Sequence, residues 1–441
     1  MTTSLHTFVA HPVPQVAGTI TVPGDKSISH RALMLGALAA GPSVIHGFLR
    51  SEDCLATRAA LEAMGVSIRD VAGGSLAIEG VGLYGLKPPR QTLDLGNSGT
   101  AIRLLIGLLA GQQFDSELTG DASLRQRPME RVAGPLRAMG ALLETTKGKP
   151  PVRISGGRAL HGIDYSLPIA SAQVKSALLL AALYAHGTTT LHSPGPSRDH
   201  TERMLASMGV VLREDGAINS VALTGPAAPR GIELTVPGDF SSAAFFIVAG
   251  CLAAEEGLLI RNVGVNPTRV GLLTILRSMG ARIELTNQRL VGAEPVADLQ
   301  VRRSTLRGVE VPPELVPLAI DEFPILFIAA AGAAGTTVVR GADELRTKES
   351  DRIAVMAEGL AALGARVREE PSGLVIEGGR LQGGRIDSRG DHRIAMSFAV
   401  ASLLASGPIE ILNTAEVATS FPSFIDVATA TGLRVASGGR L

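Results

Sequence analysis

The feature that most constrains this chain is a short helical segment that recurs six times and ends each time in glycine. Each glycine closes a helical pattern and precedes residues that alternate between apolar and polar. Glycine at a helix C-terminus supplies a left-handed turn, and the alternation predicts a half-buried strand. The copies are Leu61–Gly65, Leu136–Gly140, Leu205–Gly209, Leu276–Gly280, Leu360–Gly364 and, more weakly, Ala428–Gly432.

A second helix, almost wholly apolar, accompanies each copy, and its composition predicts that it is buried within its unit. Each of these helices begins near a polar residue suited to cap it and ends near a glycine before a β-rich run. The predicted caps are Ser27, Ser98, Ser171, Ser241, Asp321 and Asp391. The pattern indicates six copies of a roughly 70-residue α/β unit. An α-solenoid is the structural alternative, and the predicted strands argue against one made only of helices.

The six units fall into two sets of three. The pentapeptide Thr21–Asp25 recurs unchanged as Thr235–Asp239, about three unit lengths later. One five-residue match is compatible with chance, but its coincidence with the spacing of the units favours a duplicated half. The Pro-Gly step in both copies suits a hinge at which the chain crosses from one half to the other.

The charges of the chain exclude several classes of partner. Lys and Arg total 41, as do Asp and Glu, so the net charge is zero. Such a chain has no overall electrostatic field to attract nucleic acid or an anionic membrane, and any anion site must come from local clustering of Lys and Arg.

The cysteines and the apolar segments bear on where the protein is located. Two cysteines, Cys54 and Cys251, are too few for a disulfide framework, which fits a reducing compartment. Without a signal-peptide pattern or a bilayer-spanning apolar stretch, we expect a soluble, cytoplasmic protein.

Polar residues that suit anions cluster at the starts of the buried helices. Lys26, Ser27 and Arg31 open the first of them, where free N–H groups and the positive end of the helix dipole favour an anion. The polar and small residues that open the second and third helices are Asn97, Ser98, Gly99, Thr100, Ser171 and Gln173. Taken singly, each motif has a structural alternative: a capped helix with solvated charges for the first, an Asn/Gly turn for the second and a helix cap for the third. Their recurrence at equivalent positions of the repeat favours a ligand site.

Basic residues open the remaining helices as well. They are Arg125, Arg127, Arg198, Arg203, Lys348, Arg352 and Arg393. Arginine suits bidentate recognition of carboxylate and phosphate, so the recurrence predicts converging anion sites. We predict that Lys348 and Arg352 lie one helical turn apart and face the same side.

Two carboxylates are candidates for acid–base chemistry. Asp321 precedes an apolar run, and Glu349 lies between Lys348 and Arg352. A base facing a substrate hydroxyl and an acid beside cations would suit addition and elimination. A helix cap for Asp321 and a salt-bridge partner for Glu349 are the alternatives. The sequence contains no metal-ligand spacing, Walker A loop or dinucleotide turn, so we expect no metal site.

Six motifs together resemble the 5-enolpyruvylshikimate-3-phosphate synthase family. They are Pro23–Arg31, Leu95–Ala101, Arg127–Met129, Ser171–Gln173, Lys348–Arg352 and Asp391–Met396. The resemblance covers nearly the whole chain. It implies an α/β enolpyruvyl transferase fold of two domains, each with three βαβαββ-type units, and an active site in the cleft between them. Residues 23–236 would form an inserted domain with most shikimate 3-phosphate contacts. Residues 1–22 and 237–441 would form a discontinuous domain with the acid–base residues and part of the phosphoenolpyruvate site.

The resemblance implies transfer of the enolpyruvyl group of phosphoenolpyruvate to the 5-hydroxyl of shikimate 3-phosphate without a cofactor, and we expect a monomer. The implied catalytic residues are Lys26, Asp321, Lys348 and Glu349. The implied shikimate 3-phosphate contacts are Lys26, Ser27, Arg31, Ser171, Ala172, Gln173, Arg198, Asp321 and Lys348. The implied phosphoenolpyruvate contacts are Lys26, Asn97, Gly99, Arg127, Gln173, Arg352 and Arg393.

The chain departs from many family members at Leu104, Ala172 and Thr419, where they carry Pro, Ser and Lys. These departures resemble the second class of the family, whose members are often tolerant of glyphosate, an inhibitor of the phosphoenolpyruvate site. Gly99, however, has no side chain to crowd that inhibitor, so we expect measurable sensitivity.

Two alternative functions remain open on the sequence. A sibling family transfers enolpyruvyl to UDP-N-acetylglucosamine, but it has a Lys-Asn pair where this chain has Lys26 and Ser27, and typically a Cys within residues 110–125. A non-catalytic ligand-binding protein on the same fold is the other. Retention of both acid–base carboxylates and the main cations argues against it.

Overall fold

The computed structural model describes residues 6–438, and its contacts divide the chain into two compact units. The first unit comprises Met1–Pro23, Pro237–Leu290 and Pro295–Leu441, and the second comprises Gly24–Val236 and Val291–Glu294. The chain therefore changes unit after Pro23 and again before Pro237. Two assignments differ from the expected bounds: Pro23, expected in the inserted domain, groups by its contacts with the first unit, and residues 291–294, expected in the discontinuous domain, group with the second.

Short helices and strands alternate along the chain. The helices are α1 (Lys26–Leu38), α2 (Glu52–Ala63), α3 (Gly99–Leu109), α4 (Glu130–Ala138), α5 (Ala172–Ala182), α6 (His200–Ser207), α7 (Phe240–Ala253), α8 (Gly271–Ser278), α9 (Val316–Ala319), α10 (Phe323–Ala331), α11 (Arg352–Ala362), α12 (His392–Ala401) and α13 (Phe424–Ala430). The strands are β1 (Thr7–His11), β2 (Gly18–Thr21), β3 (Ala40–His46), β4 (Ser67–Val71), β5 (Ser75–Val81), β6 (Leu93–Asp94), β7 (Ser116–Thr119), β8 (Leu142–Thr146), β9 (Lys149–Ser155), β10 (Asp164–Ser166), β11 (Gly187–His192), β12 (Leu212–Asp215), β13 (Ser220–Gly225), β14 (Glu233–Thr235), β15 (Leu258–Gly264), β16 (Arg282–Val291), β17 (Glu294–Arg302), β18 (Thr336–Val338), β19 (Arg366–Glu370), β20 (Gly373–Glu377), β21 (Gly384–Asp387), β22 (Ile409–Leu412) and β23 (Arg434–Gly438).

Small sheets built to one plan repeat in both units. In the second unit the strand orders are β6-β7-β9-β8, β10-β11-β13-β12 and β14-β3-β5-β4. In each, the first pair is parallel and the remaining pairs are antiparallel. The first unit has the orders β21-β22-β1-β23, β16-β17-β15-β2 and β18-β20-β19, and a parallel bridge from Glu310 to Val338 extends the last of these. The predicted βαβαββ-type repeat is confirmed.

Strands from distant parts of the chain complete three of these sheets. Strand β1 lies between β22 and β23 and pairs antiparallel with both. Strand β2 pairs in parallel with β15 in the first unit, and β14 pairs in parallel with β3 in the second. In the first unit, β1 and β2 precede the crossing at Pro23, whereas the strands with which they pair follow the crossing at Pro237. In the second unit, β14 and β3 lie at opposite ends of Gly24–Val236. Sequence periodicity alone does not reveal this closure, because the pairing is non-local.

The six repeated glycines end their helices as predicted. Their φ angles lie between +83° and +99°, the left-handed region in which a side chain is disfavoured. The positions are Gly65, Gly140, Gly209, Gly280, Gly364 and Gly432. A strand follows each of them, so the sequence prediction of a helix–turn–strand step is confirmed.

Three apolar helices pack together in the core of each unit. They are α1, α3 and α5 in the second unit and α7, α10 and α12 in the first. Burial of each large apolar side chain contributes about 1.5–3 kcal/mol. These helices are buried along most of their length, and several of the predicted site residues lie at their N-terminal ends.

The caps of these helices agree only partly with the prediction. Three predicted caps are found, at Ser98, Ser171 and Asp391. The prediction is wrong for α1 and α7, where Asp25 and Asp239 accept the first-turn N–H groups instead of Ser27 and Ser241. An aspartate and a serine lie within two residues of each other in both places, and the aspartate takes the capping position. Ser27 and Ser241 are thereby left to make other contacts.

Candidate active site

Arg31 of α1 is almost fully buried in the second unit and is held by oxygens from three elements. Its Nε donates to Thr201 Oγ1 at 2.7 Å, and its Nη2 donates to Ser176 Oγ at 2.8 Å. Its Nη1 donates to the carbonyl oxygen of Ser27 at 2.9 Å. Desolvation lowers the pKa of Arg31 to about 10, so the guanidinium stays charged at neutral pH. A predicted anion-binding arginine is therefore fixed relative to α5 and α6.

Lys26 and Ser27 lie in the first turn of the same helix. Lys26 forms an ion pair with Asp53 of α2, whose side chain is only 8% exposed. Arg198 Nη1 lies 3.5 Å from Ser27 Oγ, to which it donates. Sequence reasoning missed Asp53, because nothing in its local sequence distinguishes it from an ordinary acidic residue in the first turn of a helix.

Two guanidinium groups crowd the start of α3. Asn97 Oδ1 accepts from Arg127 Nη2 at 2.5 Å, and Asn97 Nδ2 donates to Asp121 Oδ2 at 2.7 Å. A Cβ atom placed on Gly99 would lie 2.7 Å from Arg127 Nη1 and 2.9 Å from Arg103 Nη1. The absence of a side chain at Gly99 is therefore what allows both arginines to approach the helix end.

Gln173 at the start of α5 is joined to α3. Its Oε1 accepts from Arg103 Nη1 at 3.1 Å, and its Nε2 donates to Thr100 Oγ1 at 3.0 Å. Ser171 caps α5, and Ala172 is the first residue of the helix. Arg103 was not among the predicted site residues, although its side chain links two of the predicted helix starts.

His30 lies at the centre of this group and is fully buried. Its Nδ1 is 2.8 Å from Thr57 Oγ1 of α2, and its Nε2 is 3.4 Å from Ser98 Oγ at the start of α3. Desolvation, together with the charges of Lys26 and Arg31, lowers the pKa of His30 well below its ordinary value. A neutral imidazole therefore joins three of the helices that carry the site.

We expect this buried histidine to make stability depend on pH. In the unfolded chain the imidazole protonates below its ordinary pKa, whereas in the folded chain it stays neutral, so stability is complete above that pKa and falls as pH drops below it. His30 should make the free energy of unfolding in urea about 1 kcal/mol lower at pH 5.5 than at pH 7.5. In His30→Asn the decrease in unfolding free energy between these two pH values should be smaller than in wild type by that amount. His186→Asn, at an exposed site, serves as the control, and an equal loss in wild type and His30→Asn would contradict the assignment.

In the first unit, Asp321 is surrounded by three cations. Its Oδ1 lies 3.5 Å from Lys348 Nζ and 3.7 Å from Arg352 Nη1, and its Oδ2 lies 3.9 Å from Arg269 Nη1. The side chain is 13% exposed, so a ligand can reach it. Asp321 was expected to cap α10, but Glu322 occupies that position and makes no side-chain cap bond. Three cations thus face the carboxylate of Asp321.

Lys348 and Arg352 do not share a helix, so the prediction of a common helical face is wrong. Helix α11 begins at Arg352 because Asp351 caps it, and Lys348 lies before the cap, after a 3₁₀ turn. Lys348 Nζ also pairs with Glu344 at 2.6 Å. Both cations nevertheless reach Asp321, one from the loop and one from the helix.

Arg352 is the most deeply buried cation of this group, with a side chain that is 1% exposed. Its Nε contacts Asp391 Oδ2 at 2.7 Å, and its Nη2 contacts Glu349 Oε2 at 2.6 Å. Desolvation by itself lowers the pKa of Arg352. The carboxylates of Asp391, Glu349 and Asp321 outweigh this effect and raise the pKa above its ordinary value. Arg393 Nη1 donates to the carbonyl oxygen of Asp321 at 3.0 Å. The predicted cations and carboxylates of the first unit are thus brought together.

Each unit therefore carries a cluster of cations near the starts of its buried helices, and in the first unit the carboxylates of Asp321 and Glu349 lie among them. Such clusters are typical of enzymes that bind phosphate or carboxylate groups and move protons. Within residues 6–438, no group of His, Cys, Asp and Glu side chains is arranged to hold a metal ion.

Comparison with known proteins identifies the family. The family model for EPSP synthase (3-phosphoshikimate 1-carboxyvinyltransferase) matches residues 11–428. A 3-phosphoshikimate 1-carboxyvinyltransferase from Methylococcus capsulatus is 58% identical over 97% of this chain and 98% of its own length. One from Legionella pneumophila (strain Lens) is 55% identical over 96% of this chain and 97% of its own. The EPSP synthase structure from Acinetobacter baumannii is 50% identical with a TM-score of 0.88, covering 98% of this chain and 100% of that one. The chain belongs to the EPSP synthase family.

Proposed function

We propose that this chain transfers the enolpyruvyl group of phosphoenolpyruvate to the 5-hydroxyl of shikimate 3-phosphate, as a 3-phosphoshikimate 1-carboxyvinyltransferase of the shikimate pathway. The observation that carries the proposal is the environment of Asp321, a reachable carboxylate among Lys348, Arg352 and Arg269. Both substrates bear a phosphate and a carboxylate, and a base among cations is what their reaction requires. The full-length similarity to named transferases supports the same reaction.

The second unit supplies most of the shikimate 3-phosphate contacts in this proposal. They are Lys26, Ser27, Arg31, Ser171, Ala172, Gln173 and Arg198, joined by Asp321 and Lys348 of the first unit. The hydrogen bonds that hold Arg31 and the contact between Arg198 and Ser27 support this assignment, because they fix the donors before the ligand arrives. Preorganised donors lose little entropy on binding.

Seven residues are proposed to contact phosphoenolpyruvate. They are Lys26, Asn97, Gly99, Arg127, Gln173, Arg352 and Arg393. Support comes from the convergence of Arg127 on Asn97 and from the buried position of Arg352. A guanidinium suits both ends of this ligand because it binds phosphate and carboxylate bidentately.

The proposed reaction is an addition followed by an elimination. Asp321 accepts the proton of the 5-hydroxyl while that oxygen bonds to C2 of phosphoenolpyruvate, and Glu349, with Lys348, delivers a proton to C3. The resulting ketal then loses a proton from C3 and phosphate from C2, which restores the double bond. Lys26 and the arginines neutralise the phosphate that leaves. No cofactor takes part in this sequence.

We also propose a monomeric, cytoplasmic enzyme. In support, Cys54 and Cys251 are free and buried, which fits a reducing compartment. Of the helices in the described part of the chain, none has the length and apolarity needed to cross a membrane.

Phosphate release by the purified protein tests the function. The protein is given phosphoenolpyruvate with shikimate 3-phosphate, with each omitted in turn, and with UDP-N-acetylglucosamine as the alternative acceptor. Release that requires both proposed substrates supports the proposal. Release with the nucleotide sugar would identify the sibling activity, and binding without release would indicate a non-catalytic protein.

Replacing Gly99 by Ala is expected to raise KM for phosphoenolpyruvate about tenfold and to weaken glyphosate inhibition at least as much. The added Cβ would lie 2.7 Å from Arg127 Nη1, so the guanidinium must move away, and a loss of about 1.4 kcal/mol corresponds to tenfold. KM for shikimate 3-phosphate should change less than about threefold. Gly134→Ala is the matched control, because open space surrounds that Cβ. Equal kinetics for the two variants would contradict the steric argument.

A further inference from the structure

Arg269 is a buried arginine of the first unit that the proposed reaction leaves without a role. Only 4% of the residue is exposed. It lies in the turn before α8, where its backbone N–H donates to the carbonyl oxygen of Asn266 at 2.8 Å. An arginine buried this deeply requires specific partners, because removing a charge from water is costly.

The guanidinium of Arg269 joins the start of α7 to the start of α10. On the α7 side, its Nη2 donates to Ser241 Oγ at 2.7 Å and lies 3.4 Å from Asp239 Oδ1. On the α10 side, its Nη2 lies 4.0 Å from Glu322 Oε1 and its Nη1 lies 3.9 Å from Asp321 Oδ2. One side chain thus faces the acidic residues of two buried helix starts.

The α7 side is a rigid support. Asp239 caps α7 by accepting from the backbone N–H groups of Ser241 and Ser242 at 3.2 Å and 3.0 Å. The Ser241 hydroxyl accepts from Arg269 and donates to Glu322. A group held by a capped helix end has little freedom, so the position of Arg269 is set by α7 rather than by Asp321.

The α10 side leads to the reacting groups. Glu322 is only 2% exposed and lies 3.7 Å from Arg393 Nη1, a proposed phosphoenolpyruvate contact. Asp321, the proposed base, precedes it directly. Lys348 and Arg352 face Oδ1 of Asp321, while Arg269 faces Oδ2. The proposed ligand-binding cations Lys348 and Arg352 therefore face one oxygen of the carboxylate, and Arg269 faces the other.

We propose that Arg269 is a positioning residue of the reaction: it fixes the orientation of the Asp321 carboxylate and favours its charged form. This inference rests on the proposed function, in which Asp321 is the base. A purely structural arginine would only neutralise Asp239 and Glu322, and its loss would change stability without changing the titration of the base.

The test is the pH profile of kcat for Arg269→Gln, measured on the intact protein with shikimate 3-phosphate and phosphoenolpyruvate. We expect kcat to fall about 10- to 100-fold, because a misplaced base reacts slowly. The acidic limb of the profile should move up by roughly one pH unit, since loss of an opposite charge makes the carboxylate easier to protonate. Lys348, Arg352 and the neighbouring Glu322 still face Asp321 in the variant. KM for shikimate 3-phosphate should change little.

A lowered melting temperature with kcat and the acidic limb unchanged would overturn the inference. Arg277→Gln, an exposed arginine on α8, is the control and should behave as wild type. If Arg269→Gln does not fold, Ser241→Ala must move the acidic limb in the same direction, and an unmoved limb in that variant overturns the inference. Absence of product in the wild type would overturn the proposed function and this inference together, whereas product with unaltered variants would overturn the inference alone.

Discussion

Replacement of Asp321 by Asn is expected to lower kcat by about two to four orders of magnitude, the range over which general acid–base groups contribute. Asparagine has the size of aspartate but does not accept the hydroxyl proton. It also removes the negative charge that faces Lys348, Arg352 and Arg269. Steady-state phosphate release measures kcat, and isothermal titration calorimetry measures binding of shikimate 3-phosphate.

Two results would contradict the assignment of Asp321 as the base. One is a kcat within about tenfold of wild type, because a general base contributes more than that. The other is loss of activity that follows entirely from loss of folded protein, seen by circular dichroism. Asp426→Asn, an exposed residue of α13 in the same unit, is the matched control and should leave kcat unchanged.

Replacement of Arg352 by Met is expected to destabilise the first unit by about 3–5 kcal/mol, because it leaves buried carboxylates without their cation. Asp391 is fully buried and contacts Arg352 Nε at 2.7 Å. Methionine has nearly the volume of the arginine stem, so the effect reports the charge rather than a cavity. Urea unfolding followed by circular dichroism gives the change, and KM for phosphoenolpyruvate should rise as well.

A double variant separates the ion pair from general damage to the fold. Arg352→Met combined with Asp391→Asn should recover part of the lost stability, because the second change removes the uncompensated charge. Arg366→Met is the control, since its ion pair with Glu377 is exposed and should contribute little. No recovery in the double variant would show that the arginine does not act through Asp391.

The repeat architecture could be predicted from the sequence, because each repeat carries its own helix-capping residue or helix-ending glycine. The six glycines that end helices have left-handed backbones, and Ser98, Ser171 and Asp391 cap the helices that they were predicted to cap. These features depend on residues a few positions apart. The capping errors at α1 and α7 arose where two capping residues lie close together, so local pattern does not decide between them.

The closure of the sheets was not accessible in the same way. Strand β1 pairs with β22 and β23 near the other end of the chain, and β2 pairs with β15 beyond the whole second unit. Such pairing is set by tertiary packing. The residue patterns of the short strands β1 and β2 therefore do not predict which strands they pair with.

Recognisable motifs predict the site residues, but not the partners that hold those residues in place. Arg31 is held by Thr201, and Asp321 is faced by Arg269, which precedes it by about fifty residues. A lone arginine before an apolar helix carries no signal of burial in the sequence. The sequence pattern also did not show that Lys348 lies outside α11. Asp351 caps this helix, so the helix begins at Arg352 and does not extend back to Lys348.

Addition–elimination at C3 of phosphoenolpyruvate is the central claim, and the reaction in deuterium oxide tests it most directly. If Glu349 and Lys348 protonate C3 and a proton is later removed from the resulting methyl group, the methylene of the product must acquire solvent deuterium. Mass spectrometry of the product formed from unlabelled substrates measures this incorporation. The account predicts deuterium in the methylene group together with equimolar phosphate release. Product formed with phosphate release but without deuterium would contradict it, because C3 would never have been protonated.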